Sequence, residues 1–283
     1  MAFDEIKVAY LAEKARLMRR DSLKMVAAAG SGHPGGSLSA ADIMAVLFFD
    51  EMRFYPERPK DPDRDRFVLS KGHASPILYA ALARRGFIPL EELKTFRRID
   101  SRLQGHPSMK ALPYVEISTG SLGQGISAAN GMAIAAKMDA RPTRVYTLVG
   151  DGELQEGELW EAAMTASHRR LDNLVAVLDY NRLQIDGWIE DVKSLTGIPE
   201  RFRAFGWHAI EIDGHDIRAI GAALDEARAV KGKPSVIVAS TVKGKGVSFM
   251  QGQASWHGTA PKKDQLDAAL AELGGEEGDG WQI

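Results

Sequence analysis

Apolar runs alternate with helix-periodic stretches along most of this chain. From about Glu5 to Ala29 the residues are alanine-rich with spaced Leu, Met and Val, which predicts a helix. Gly30 to Gly36 reads as a glycine-rich loop. Ser39 and Asp42 then stand where a capping box would open a helix over AADIMAVLFF. PERPKDPDRDR reads as a polar, proline-broken surface loop. Short β-like runs follow: RFVLS, YVEIST, RVYTLVG, LVAVLDY, HAIEID and SVIVAST. Most are apolar throughout rather than alternating, the pattern of strands covered on both faces. Helical patterns such as GISAANGMAIAAKM and ELWEAAMTASHRRL lie between them. The expectation is an α/β fold: one doubly wound, mostly parallel sheet with helices on both faces. No internal repeat or linker divides the chain, so we read a single domain over residues 1–270 and a C-terminal tail over 271–283. The stretch GGEEGDGWQI is expected to be poorly ordered.

Composition narrows the class. A length of 283 residues with 45% hydrophobic content can build a substantial core. The formal net charge of −2 argues against nucleic acid or an anionic membrane as the main partner. The chain has no cysteine, which removes a disulfide framework, a thiolate metal site and a cysteine nucleophile. The opening MAFDEIKVAY lacks a signal peptide's basic end and apolar run, and no segment approaches a membrane span. A soluble, cytoplasmic protein is expected.

Chemistry enters at VYTLVGDGELQEG, where Asp151 sits between Gly150 and Gly152 at the end of an apolar strand. In α/β proteins that strand-to-helix corner is where ligands bind. Asn181, in VAVLDYNRLQIDG, follows about thirty residues later, at the end of the next strand of a βαβ unit. Successive parallel strands would bring the two to one edge of the sheet. A carboxylate, an amide oxygen, a backbone carbonyl and phosphate oxygens suit Mg²⁺, which takes hard oxygen ligands in octahedral order. Gly152 can then donate its N–H to a phosphate. Taken singly, each is an ordinary turn residue; paired at matching strand ends, they point to a metal–diphosphate site. GSGHPG, Gly30 to Gly35, fits G-x-G-x-x-G, but a helical pattern precedes it rather than a strand, so the dinucleotide reading is rejected.

Five of the seven histidines touch a glycine, and four of these lie in similar loops: His33 in SGHPGG, His73 in SKGHAS, His106 in LQGHPS and His257 in SWHGTAP. The repetition predicts several imidazoles converging on one pocket, able to shuttle protons or bind sugar hydroxyls near neutral pH. No pair has zinc-ligand spacing. His168 and His208 read as ordinary helix and strand-entry residues, and His215 as a turn residue. In STGSLGQG, Gly120, Gly123 and Gly125 allow main chain to face a ligand, or simply make a tight crossover.

Together these pieces resemble the N-terminal, diphosphate-binding half of transketolase, from about Arg19 to Pro261. GDGELQEG…DYN is similar to that family's thiamine diphosphate signature, and GHPGG, KGH, QGHP, GSLGQG and HGTAP fall in the family's order. The resemblance implies thiamine diphosphate and Mg²⁺ as cofactors, with Asp151, Asn181 and the carbonyl of Leu183 as metal ligands. It implies that Gly150 and Gly152 meet the diphosphate, that His73 and His257 lie near diphosphate and thiazolium, and that Gly120, Ser121 and Leu122 offer backbone to the aminopyrimidine. Ser121 stands where the family frequently has proline. His33, His106 and His257 would line the substrate channel as catalytic residues. Glu156 resembles a residue at the subunit contact that supports cofactor activation.

In this family the glutamate that activates the aminopyrimidine, the aromatic pocket for that ring and most sugar-phosphate arginines belong to the next domain. The chain ends shortly after HGTAP. The expectation is therefore the N-terminal subunit of a split transketolase, moving a two-carbon ketol unit between sugar phosphates. It would act with a C-terminal, pyrimidine-binding subunit in a heterotetramer with two copies of each chain. The alternatives are a deoxyxylulose-phosphate synthase-like or 2-oxoacid dehydrogenase-like component, a piece of a longer enzyme, or a non-catalytic cofactor-binding subunit. LQEG after GDG and the late WHG favour transketolase.

Overall fold

The computed structural model describes residues 3–275 and 280–283. The chain opens with α1 (Glu5–Ala29), where the Asp4 carboxylate accepts the Lys7 N–H at 2.8 Å. Gly30, at φ 59°, ends this helix and returns its N–H to Val26 and Ala27. Then come α2 (Pro34–Ser39), α3 (Ala41–Val46), β1 (Arg66–Leu69) and α4 (Ser75–Arg85). A long irregular stretch leads to α5 (Gln124–Met138), β2 (Val145–Gly150), α6 (Gly157–His168) and β3 (Leu174–Tyr180). A small hairpin of β4 (Leu183–Gln184) and β5 (Gly187–Trp188) follows, with α7 (Ile189–Lys193) and α8 (Ile198–Ala204). The chain closes with β6 (His208–Asp213), α9 (Ile217–Ala229), β7 (Ser235–Ser240) and α10 (Lys263–Glu272).

Five strands form one parallel sheet in the order β1-β2-β3-β7-β6. The apolar runs of β1, β2, β3 and β7 follow from burial on both faces, whereas the edge strand β6 (HAIEID) is partly exposed. In β3, Val175 and Val177 join the core under α1, α3, α4 and α9, while Leu174, Ala176 and Leu178 join the core under α5, α6 and α8. Both alternating sets are apolar because neither face meets water. β2 and β3 are neighbours, with Gly150 opposite Asp179. That register carries the chain following each strand to the same edge. Among the described residues, no helix is long and apolar enough to cross a membrane.

Four local expectations change. YVEIST forms no strand: the Thr119 N–H goes to the carbonyl of Pro107 and the Ser118 hydroxyl accepts the Met109 N–H, turns within the segment's own loop, while the Glu116 carboxylate pairs with Arg64 and Arg66. The loop from Gly30 is already helical at Pro34, whose fixed φ suits a first helical turn. Ser39 and Asp42 make no capping box. Ser39 Oγ donates to Asp179 at 2.6 Å, and Asp42 pairs with Arg19 and His215 across the core. The tail is tied down at its far end. Trp281 is buried, its indole N–H donates to Asp21 at 2.7 Å and its carbonyl accepts from Lys24 at 3.0 Å. Residues 276–279 of that tail lie outside the described residues.

Candidate active site

The corner after β2 and the turn after β3 meet as their spacing predicts. Asp151 is buried; its Oδ1 accepts the Gly152 N–H at 2.8 Å and its Oδ2 accepts the Arg182 N–H. Asn181 is also buried, and its side-chain oxygen accepts the Leu183 N–H at 3.2 Å. Arg182 between them has φ 65°, the left-handed conformation that turns the chain back into the β4–β5 hairpin. The Leu183 carbonyl accepts from Lys243 Nζ at 2.6 Å. Carboxylate, amide oxygen, carbonyl and ammonium therefore share one pocket.

The electrostatics match that crowding. Burial, then the neighbouring Asp179 charge, pushes the Asp151 carboxyl up to about 7. Burial pulls Lys243 down to about 8. Such a carboxylate gains most from a cation beside it, and the three oxygens are hard ligands of the kind Mg²⁺ takes. Among the described residues no cluster of three or more His, Cys, Asp or Glu is set for a metal.

The four loop histidines converge. The His33 ring centroid lies 5.3 Å from that of His73, 5.4 Å from His257 and 6.1 Å from His106, and His73 stacks on His257 at 5.0 Å. Burial lowers all four pKa values: His33 to about 4 and His257 to about 3, with His73 and His106 also below the ordinary range. The cluster is neutral at physiological pH, and each ring can both donate and accept. His257 Nδ1 is 3.0 Å from Lys243 Nζ, which links the imidazoles to the oxygen set. Gly120 touches His106: a Cβ there would lie 2.8 Å from the ring, and φ 143° further favours glycine.

Three buried polar atoms without a protein partner sit on the segments bordering this site: His33 Nδ1, Thr119 Oγ1 and Gln184 Nε2. Such atoms call for a ligand or water. Glu156 is exposed, with its Cβ 2.9 Å from where a Cβ on Gly123 would be. The other histidines are elsewhere. His168 is in the last turn of α6, and His208 pairs with Glu226 at 2.6 Å. His215, in a turn, bridges Asp42 and the Val242 N–H. Cavity size does not mark the site. A shallow depression of about 540 Å³ adjoins His106, whereas a larger one of about 760 Å³ lies between α1 and α10 and holds none of these groups.

Sequence reasoning missed the charged floor. Lys71 Nζ donates to Asp179 at 2.5 Å and to the Gly36 carbonyl at 3.0 Å, and both side chains are buried. Burial opposes the Asp179 charge, but Lys71 and the hydroxyls of Ser39 and Thr241 hold its carboxyl below the usual range. Lys71 stands inside the quoted KGH and Asp179 inside DYN, so the motifs named the segments without naming these residues.

Known proteins share the sequence and the fold of this chain. The family model described as "Transketolase, thiamine diphosphate binding domain" matches residues 10–283. The chain is similar to the 6-deoxy-6-sulfo-D-fructose transketolase subunit SqwG of Clostridium sp., 46% identical over 263 residues, covering 93% of this chain and 96% of that one. It is similar to an apulose-4-phosphate transketolase subunit of Phocaeicola vulgatus, 43% identical over 255 residues and 90% of each chain. It is 45% identical over 271 residues to the transketolase of Homo sapiens, covering 95% of this chain but 43% of that protein. Among solved structures, the transketolase from Leishmania mexicana superposes with a TM-score of 0.89 at 36% identity, over 93% of this chain and 41% of that one. The chain thus spans less than half the length of the one-chain transketolases it matches.

Proposed function

Because this chain belongs to the transketolase family, matching its thiamine diphosphate binding domain, we propose that it is the N-terminal subunit of a split transketolase. One observation carries the split: the chain aligns with 96% and 90% of two relatives named as subunits, but with 43% of the human transketolase. The proposed reaction moves a two-carbon ketol unit from a ketose phosphate to an aldose phosphate. The proposed partner is a C-terminal, pyrimidine-binding subunit, in a heterotetramer with two copies of each chain, acting in the cytoplasm. The domain proper would cover residues 1–270.

When bound, thiamine diphosphate supplies the carbanion chemistry. The residues of this chain supply position and protons. Asp151, Asn181 and the Leu183 carbonyl would hold Mg²⁺, and the raised Asp151 pKa and all-oxygen donor set support that assignment. Gly150 and Gly152 would border the diphosphate, Gly152 through its N–H while Glu153 holds that of Gly150, with Lys243 adding positive charge. Gly120, Ser121 and Leu122 would offer backbone to the aminopyrimidine. His73 and His257 would border the diphosphate end. His33, His106 and His257, neutral here, would bind sugar hydroxyls. His33 Nδ1, without a protein partner, would exchange a proton with one of them. Exposed Glu156 would meet the partner subunit.

The test is reconstitution. The chain alone is expected to be inactive and to bind thiamine diphosphate poorly. Mixed with Mg²⁺ and a C-terminal subunit, it should transfer ketol units, and light scattering should report two copies of each chain. The donor panel should include the two substrates in the relatives' names beside common ketose phosphates. Ordinary turnover by the chain alone would refute the split reading.

A further inference from the structure

Glu153 has no part in the chemistry above, yet three segments of the site close on it. It lies in the short turn after Asp151 and is 1% exposed. Its Oε1 accepts the Gly123 N–H at 2.9 Å and the hydroxyl of Ser70; its Oε2 accepts the Gly150 N–H at 3.0 Å. Each donor belongs to a different piece of the chain. Ser70 immediately precedes Lys71 and lies three residues before His73, Gly123 closes the loop of Gly120 to Leu122, and Gly150 opens the Asp151 corner. None of these hydrogen bonds comes from a cationic side chain. The segments are also in close contact: a Cβ on Gly125 would lie 2.4 Å from Ser70 Oγ.

We infer that Glu153 is a positioning residue, whose one carboxylate sets the spacing between the loop at Gly120–Gly123 and the corner at Gly150–Gly152. The inference rests on the functional reading above, in which those two segments hold opposite ends of thiamine diphosphate. A carboxylate suits the task because all three partners are donors. An amide of the same shape cannot satisfy them: whichever way Gln is turned, its NH₂ faces a backbone N–H, at Gly123 or at Gly150.

The test is Glu153→Gln in the complex with the C-terminal subunit, titrated in Mg²⁺ with thiamine diphosphate and separately with inorganic pyrophosphate. Thiamine diphosphate spans both segments; pyrophosphate needs only the corner. Losing one buried charge-assisted hydrogen bond should weaken thiamine diphosphate about tenfold. Gln should turn its oxygen to Gly150 and its NH₂ to the Gly123 side, where the Ser70 hydroxyl can accept, so pyrophosphate affinity should change less than about threefold. An unchanged ratio of the two affinities overturns the inference. Should the Gln variant not fold by circular dichroism, Ser70→Ala decides. It removes one donor and keeps both backbone bonds, and its ratio should rise about threefold; no rise overturns the inference. Wild type that fails to bind thiamine diphosphate overturns the functional reading and this inference with it. Wild-type binding with an unchanged ratio overturns this inference alone.

Discussion

Asp179→Asn isolates the charged floor of the site. The side chain is fully buried and holds Lys71 at 2.5 Å, with Ser39 and Thr241 donating to the same carboxylate. Asparagine keeps the shape and one accepting oxygen but removes the charge. Lys71, 2% exposed, then keeps its hydrogen bond to the Gly36 carbonyl at 3.0 Å but loses the one carboxylate it is bonded to. Breaking a buried ion pair on one side costs about 3–5 kcal/mol, mostly through the charge left behind. That is a large share of the roughly 5–15 kcal/mol that holds a domain together. For 283 residues, an unfolding entropy of about 2.1 cal/mol/K per residue converts the loss to a fall of about 5–8 °C in Tm. Scanning calorimetry of wild type, Asp179→Asn, Lys71→Met and the double variant measures it. The double variant should lose less than the two singles together, because neither charge remains unpaired. A Tm within about 1 °C of wild type for Asp179→Asn would refute the argument, since it would mean that the buried Lys71–Asp179 pair contributes nothing that its surroundings do not replace.

Further outcomes follow from the same geometry. In the assembled complex, Asp151→Ala should abolish Mg²⁺-dependent thiamine diphosphate binding, while Asn181→Ala, which removes a neutral ligand, should weaken it less; calorimetric titration with and without Mg²⁺ compares them. Trp281→Ala should cost about 3–5 kcal/mol, read as a lowered urea midpoint, because the variant empties a buried aromatic site and leaves Asp21 without the indole N–H. Burial, then the Arg97 charge, lowers His33 to about 4 in the folded chain, below its ordinary value of 6.5. The unfolded chain therefore binds more protons between pH 4 and 6.5, and stability falls as pH drops through that window. His33→Asn should make the fall shallower in urea titrations across the window.

Much of this protein was determined by its sequence alone. Runs such as LVAVLDY, apolar at nearly every position, announce strands buried on both faces. Asp151 and Asn181 fall at the ends of strands consecutive in the sheet because a βαβ unit has a characteristic length. The glycine-flanked histidines also announced their loops. Local periods and spacings record such features directly. Tertiary structure decided the rest. Ser39 meets Asp179 across 140 residues, Lys71 meets Asp179 across 108 and Trp281 meets Asp21 across 260. Glu153 reaches Gly150 within one turn but Ser70 across 83 residues. A β-like run such as YVEIST becomes a loop whose hydrogen bonds go to Pro107 and Met109 rather than to a strand. A buried charge and its partner need only meet in space, so no interval along the chain announces them; the folded packing alone decides which lysine faces which carboxylate.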